Sequence, residues 1–175
     1  MDDLATSLGI SKRTIYENFE SKEDILKNCM HTSQENIHCK MVQIMDQSDN
    51  IIDGFLQIIN HFKYVQLPNG LFWNDIYKYY PEVYQFVVED IEKTNIYIKG
   101  LVKEGIQENY FRKHVNFDEV ISTCIIVGNI YSAGISISRT DILSSLMINM
   151  LRGISTYKGI EIIDKYIDNL PHSNN

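Results

Sequence analysis

Proline and glycine are scarce in this chain, three and nine among 175 residues, and so few turn formers imply long elements rather than many short ones. Cysteine is scarcer still. Cys29, Cys39 and Cys124 form no CxxC pair and are odd in number, which excludes a disulfide framework and a zinc ribbon and fits a reducing cytoplasm. Basic charge is in deficit, with 16 lysines and arginines against 23 acidic residues and a net charge of −7, so the overall field does not favour coating nucleic acid. Only a local cationic face fits that balance. The start, Met1-Asp2-Asp3, is acidic where an export signal would be basic and then apolar, and no export is expected. HExxH, GxSxG, Walker and GxGxxG patterns are missing, so no reaction is assigned. His31, His38, His61, His114 and His172 are scattered. His31 and His38 lie two helical turns apart with Cys39 beside the second, but surface and core roles explain each singly, and neither a metal site nor a cofactor is assigned.

What remains is an ordinary globular composition, 44% hydrophobic and 22% charged, long enough for one domain and a small appendage. The stretch from Val120 to Ser138 has no charged residue, and about 20 apolar residues can span a bilayer. Ser122, Thr123, Asn129, Ser132, Ser136 and Ser138 interrupt it, and no Trp or Lys belt flanks it. It reads as a buried or interface helix.

Isoleucine prefers strands, yet the spacing of apolar residues is helical throughout. The predicted fold is therefore all-α. Short helices around Leu4 to Leu8 and Ile15 to Phe19 are separated by Gly9. Ser21 with Asp24 resembles a capping box and opens a long helix from about Lys22 to Met45. Another should cover Ile51 to Gln66, and a short one precedes Pro81. From Pro81 the stripe Tyr84, Val87, Val88, Ile91, Ile98, Leu101, Val102 and Ile106 predicts about six turns or more. Asn109 to Val115 reads as a loop. Asn116 with Glu119 opens the uncharged helix, Thr140 and Asp141 open a last long one, and Gly159 is expected to divide off a tail helix.

The segment from Asp3 to Phe19 reads as a helix-turn-helix. Ala5 is small where two helices cross, Gly9 can take the left-handed conformation of a tight turn, and Leu4, Leu8, Ile10, Ile15 and Phe19 can close a small core. Lys12, Arg13 and Thr14 lie at the start of the second helix, with Tyr16 and Asn18 further along, where side chains reach major-groove bases and phosphates. Lys22 opens the next helix, whose amides could share a phosphate. A hairpin with a merely solvated polar face is the bland alternative, and residues 1–28, with four basic and six acidic side chains, lend DNA binding no bulk charge.

The order Leu-Ala-x-x-Leu-Gly-Ile-Ser-Lys-Arg-Thr-Ile-Tyr-x-x-Phe-x-Ser-Lys-Glu-Asp-Ile-Leu resembles the DNA-binding signature of TetR-family transcriptional regulators. The resemblance covers residues 2 to about 27; beyond it, the succession of helices and the segment from Arg152 to Gly159 are similar to the family. It implies that Thr14, Tyr16 and Lys22 touch DNA and that Lys12, Arg13 and Asn18 vary with operator sequence. It also implies a further helix ahead of the motif, so residues 1–28 read as an incomplete DNA-binding module and 29–175 as a ligand-binding and dimerisation domain.

Between Phe62 and Phe86, 25 residues hold nine aromatics. Plain core and a ring-lined cavity for a flat or apolar ligand both explain them; the family resemblance implies the cavity, with Phe62, Phe72, Trp73, Tyr77, Tyr84 and Tyr131 as candidates. Asp75 or Glu89 could select a cationic ligand, though a solvated role suits each. The uncharged helix and its successor, Ile142 to Ile154, bear too little charge for one small core to hide, which indicates a subunit interface. Gly128, Ser132, Gly134, Leu143, Met147 and Met150 are its candidates, and the resemblance implies a two-fold dimer. The expected function is a cytoplasmic repressor of double-stranded operator DNA released by a small apolar or aromatic ligand; the alternative is a helical dimer that binds such a ligand without DNA.

Overall fold

The computed structural model describes residues 1–63, 68, 70–123 and 139–169, and these are helical without a strand among them. In chain order the helices are α1 (Asp2–Leu8), α2 (Lys12–Asn18), α3 (Lys22–Gln47), α4 (Ile51–Phe62), α5 (Gly70–Tyr79), α6 (Pro81–Gln107), α7 (Arg139–Ile154) and α8 (Tyr157–Asp168). A further helix is described over 117–123. The expected uncharged helix otherwise lies outside the described residues, as does the expected end of α4 at Gln66.

Local chemistry sets the boundaries. Ser21 accepts a hydrogen bond from the Asp24 amide at 3.0 Å, and Asp24 accepts one from the Glu20 amide at 3.1 Å. The carboxylate thus reaches back one residue further than in a standard capping box. Asn50 caps α4 through the amides of Ile52 and Asp53, and Pro81 sits in the first turn of α6, where its missing N–H costs nothing. α6 ends at Gln107, and two residues on Asn109 takes a φ of 64°, in the left-handed region that Asn tolerates better than most residues.

α4 is the central helix, with Ile51, Ile52, Leu56, Ile58 and Ile59 buried. One face joins Leu101, Val102, Phe111, Leu151 and Ile163 in the main core; the other meets Met41 and Ile44 of α3. A third cluster forms around Ile76, Val83 and Val87, where α5 and α6 meet Leu26 and Met30 of α3. α3 therefore starts in the N-terminal module and packs through two clusters of the larger domain.

Two expectations need correction. Leu8 and Ile10 are exposed rather than core: they flank Gly9 at the apex of the turn, and Ala5 and Ile15 are the residues buried there. Gly159 does not divide the tail helix off, since it lies inside α8. A Cβ there would stand 2.9 Å from both the Ser155 Cβ and the Tyr110 carbonyl, so this glycine permits close approach. The break comes at Ser155 and Thr156, which the 109–112 corner holds. Arg112 Nε donates to the Ser155 carbonyl at 2.8 Å, and the Thr156 hydroxyl donates to the Asn109 carbonyl at 2.6 Å.

Candidate nucleic-acid interface

α1 and α2 form a tight corner. Gly9, at φ 65°, ends α1 in the left-handed conformation, the Ile10 amide donates to the Ala5 carbonyl at 3.1 Å, and Ser11 caps α2 through the Thr14 amide at 3.0 Å. The corner closes over buried Ala5 and Ile15 with Leu4 and Phe19 half-buried. This leaves every residue of α2 except Ile15 exposed, the predicted ones among them. Lys12 pairs with Asp2, and Arg13 Nε with Glu17 at 2.8 Å. The Thr14 and Ser11 hydroxyls are 2.9 Å apart, Asn18 donates to the Thr14 carbonyl at 2.8 Å, and Tyr16 is 54% exposed. Exposed pairs of this kind contribute little to stability, so a phosphate or base edge can take Lys12 or Arg13 from its carboxylate at small cost.

Lys22, at the first turn of α3, has its Nζ 5.3 Å from the centroid of the Tyr80 ring. Hydrogen bonding to Tyr80 and electrostatic attraction to it hold the ammonium above the ordinary lysine range. Lys27 Nζ lies 3.6 Å from the Glu82 carboxylate. These two contacts frame an open cleft of about 560 Å³ between the start of α3 and the α5–α6 corner, lined by Glu20, Ser21, Asp24, Tyr79, Tyr80 and Pro81 among others. The N-terminal module thus touches the larger domain at the residue that opens α3.

Residues 1–29 match the family model described as bacterial regulatory proteins, tetR family. The N-terminal segment is therefore similar to the N-terminal module of that family. No curated protein sequence matches the chain. Two solved structures share its fold. The fatty acid degradation regulator FadR from Bacillus halodurans is similar with a TM-score of 0.68 at 16% identity, over 87% of this chain and 83% of that one. The ketosteroid transcriptional regulator KstR2 of Mycobacterium tuberculosis is similar with a TM-score of 0.59 at 15% identity, over 88% of this chain and 83% of that one. Among the described residues no helix is long and apolar enough to cross a membrane.

The predicted effector aromatics do not form one constellation. Phe72, Trp73 and Tyr84 pack around Ile76, Val83 and Val87. Tyr77 is 66% exposed, with its ring edge-on to Tyr84 at 5.2 Å. Phe62 joins the separate cluster around Met41, Ile44 and Ile58; Tyr131 lies outside the described residues, as do Gly128, Ser132 and Gly134. On α7, Ile148, Leu151 and Ile154 belong to the main core. Leu143, Met147 and Met150 form a neighbouring stripe, half-buried except for exposed Met147.

The fold does not bring His31, His38 and Cys39 together. His38 is edge-on to Tyr97 at 5.2 Å, with a buried Nδ1 that has no hydrogen-bond partner among the described residues, and Cys39 is exposed. His31 instead meets Asp90 of α6, Nδ1 to Oδ2 at 2.9 Å, and Lys93 Nζ holds Asp90 Oδ1 at 2.6 Å. Burial pushes the Asp90 carboxyl up, but hydrogen bonds from Lys93 and His31 outweigh it and hold the group below the ordinary carboxylate range. Sequence reasoning missed Asp90, although a signal was there: it stands at helical spacing from Val83 and Val87, a carboxylate in an apolar stripe.

Proposed function

We propose that the chain is a dimeric repressor that binds operator DNA through α2 and is released by a small apolar ligand. The observation that carries the reading is the match of residues 1–29 to the TetR family on a corner whose polar face is free to meet DNA. On this reading Lys12, Arg13 and Asn18 address base edges, while Thr14, Tyr16 and Lys22 hold phosphates. A two-fold dimer through the Leu143, Met147 and Met150 stripe, with Gly128, Ser132 and Gly134, sets two α2 helices toward successive major grooves, about 34 to 36 Å apart.

Release follows from connectivity. α3 has 26 residues, a rod of roughly 39 Å at 1.5 Å per residue, and it begins at Lys22 and packs on α4 and α6. A ligand that wedges among Phe72, Trp73 and Tyr84 displaces the cluster on which Leu26 and Met30 rest, tilts α3 and changes the separation of the two α2 helices. The names of the two similar structures point to lipid-like effectors, which suits an aromatic lining. Because coupling is reciprocal, a ligand that expels DNA must bind the DNA complex more weakly than the free protein. Fluorescence of Trp73, the single tryptophan, titrated with a long-chain fatty acid and with a keto-steroid, should report that weakening when operator DNA is present. Binding of equal affinity with and without DNA would rule out release by that compound.

A further inference from the structure

Among the described residues, Asp90 is the one charged side chain buried in the protein, and it lies where α6 faces α3. Beside it stand His31 and Glu35, one turn apart on α3, so that both side chains share a face. The donor atoms of His31, Glu35 and Asp90 all lie within 4.8 Å of one another. We propose that these three residues bind one first-row divalent cation of the zinc class, bridging α3 to α6.

The donor set selects the ion. One imidazole nitrogen and two carboxylate oxygens suit zinc, cobalt or manganese, whereas calcium calls for six to eight oxygens and magnesium for an octahedron of oxygens. Bonds from such an ion to nitrogen or oxygen run about 2.0 to 2.2 Å, which sets tetrahedral donors roughly 3.3 to 3.6 Å apart, so His31 Nδ1 and Asp90 Oδ2, now at 2.9 Å, open slightly while any wider separation within the 4.8 Å closes. His31 and Glu35 are exposed and free to make that adjustment, while Asp90 is fixed. Its Oδ1 stays with Lys93, which orients the carboxylate as outer partners of metal ligands do, and Oδ2 becomes the metal ligand. His31 Nδ1 exchanges its contact with Oδ2 for the ion and carries its proton on Nε2. Two carboxylates and one ammonium leave a net negative site for a doubly charged cation. Three protein ligands leave at least one position for water. The cation would fix the inclination of α3 against the larger domain; this consequence rests on the repressor reading, whereas the site does not.

The test titrates untagged protein, stripped with EDTA, with cobalt chloride while visible absorption is recorded, and then displaces cobalt with zinc chloride. One cobalt per chain is expected, with ligand-field bands, displacement by one zinc and a rise in melting temperature. Glu35→Gln and His31→Gln, both at exposed positions, should keep their helical circular dichroism and each weaken cobalt binding by at least about tenfold. Absence of stoichiometric cobalt bands in the parent protein, or parental affinity in either variant, would overturn the site. The cobalt spectrum needs no DNA, so failure of the protein to bind DNA leaves the metal titration decisive.

Discussion

Gly105 and Gly54 illustrate how far a single side chain is determined by its surroundings. A Cβ on Gly105 would lie 2.5 Å from Cδ2 of Phe111, a ring only 1% exposed and packed edge-on to Phe55 and Phe117. A Cβ on Gly54 would instead meet the thioether end of half-buried Met45, which can move aside. Alanine in a helix interior gains about 1 kcal/mol over glycine, while overpacking costs about 1 to 3 kcal/mol. Gly105→Ala should therefore destabilise in urea unfolding and Gly54→Ala should come out near neutral; equal losses would contradict the packing described. Lys22 is the other residue with a sharp expectation. As a phosphate contact, Lys22→Ala should weaken binding about equally on all DNA sequences and lower the salt slope by roughly one. An unchanged slope removes Lys22 from the interface.

At this scale the sequence spoke clearly wherever residues act through near neighbours. Ala5, Gly9 and Ser21 were legible because turns and caps are built within four residues. Lys22 with Tyr80 and His31 with Asp90 were not, since periodicity assigns a residue to a face but not to its partner across the fold, and His31 and Asp90 are 59 positions apart.

Helices were the more legible level, because an apolar stripe at 3.6-residue spacing outweighs the strand preference of isoleucine when the same face must be buried. The boundary at Gly159 failed for a physical reason: glycine serves close packing as well as turns, and only the approach of Ser155 and Tyr110 tells the two apart. α7 carries the element-scale prediction. Its core face is Ile148, Leu151 and Ile154, and on the dimeric reading proposed above Leu143, Met147 and Met150 meet a partner subunit. Met147→Arg should therefore yield monomers in light scattering while keeping the fold, since Met147 is exposed. A dimer that survives both Met147→Arg and Gly134→Arg would place the interface elsewhere.

For the whole molecule, the acidic balance and the DNA-binding module pull in opposite directions. A net charge of −7 repels a polyanion at long range, so on the proposed reading specific binding comes from the few contacts of α2 and the start of α3 and is strongly weakened by salt. The family likeness was legible from one contiguous signature; the packing of the clustered aromatics was not, because they divide between two clusters that only the tertiary structure separates. The central claim is that this chain reads DNA sequence through α2. It is tested most directly by selecting bound fragments from a random double-stranded DNA pool with the parent protein and with Arg13→Ala. Enrichment of a two-fold symmetric site with half-sites about one helical turn apart is predicted, together with a changed base preference for Arg13→Ala; no enriched sequence, or one indifferent to Arg13→Ala and Lys12→Ala alike, would contradict it.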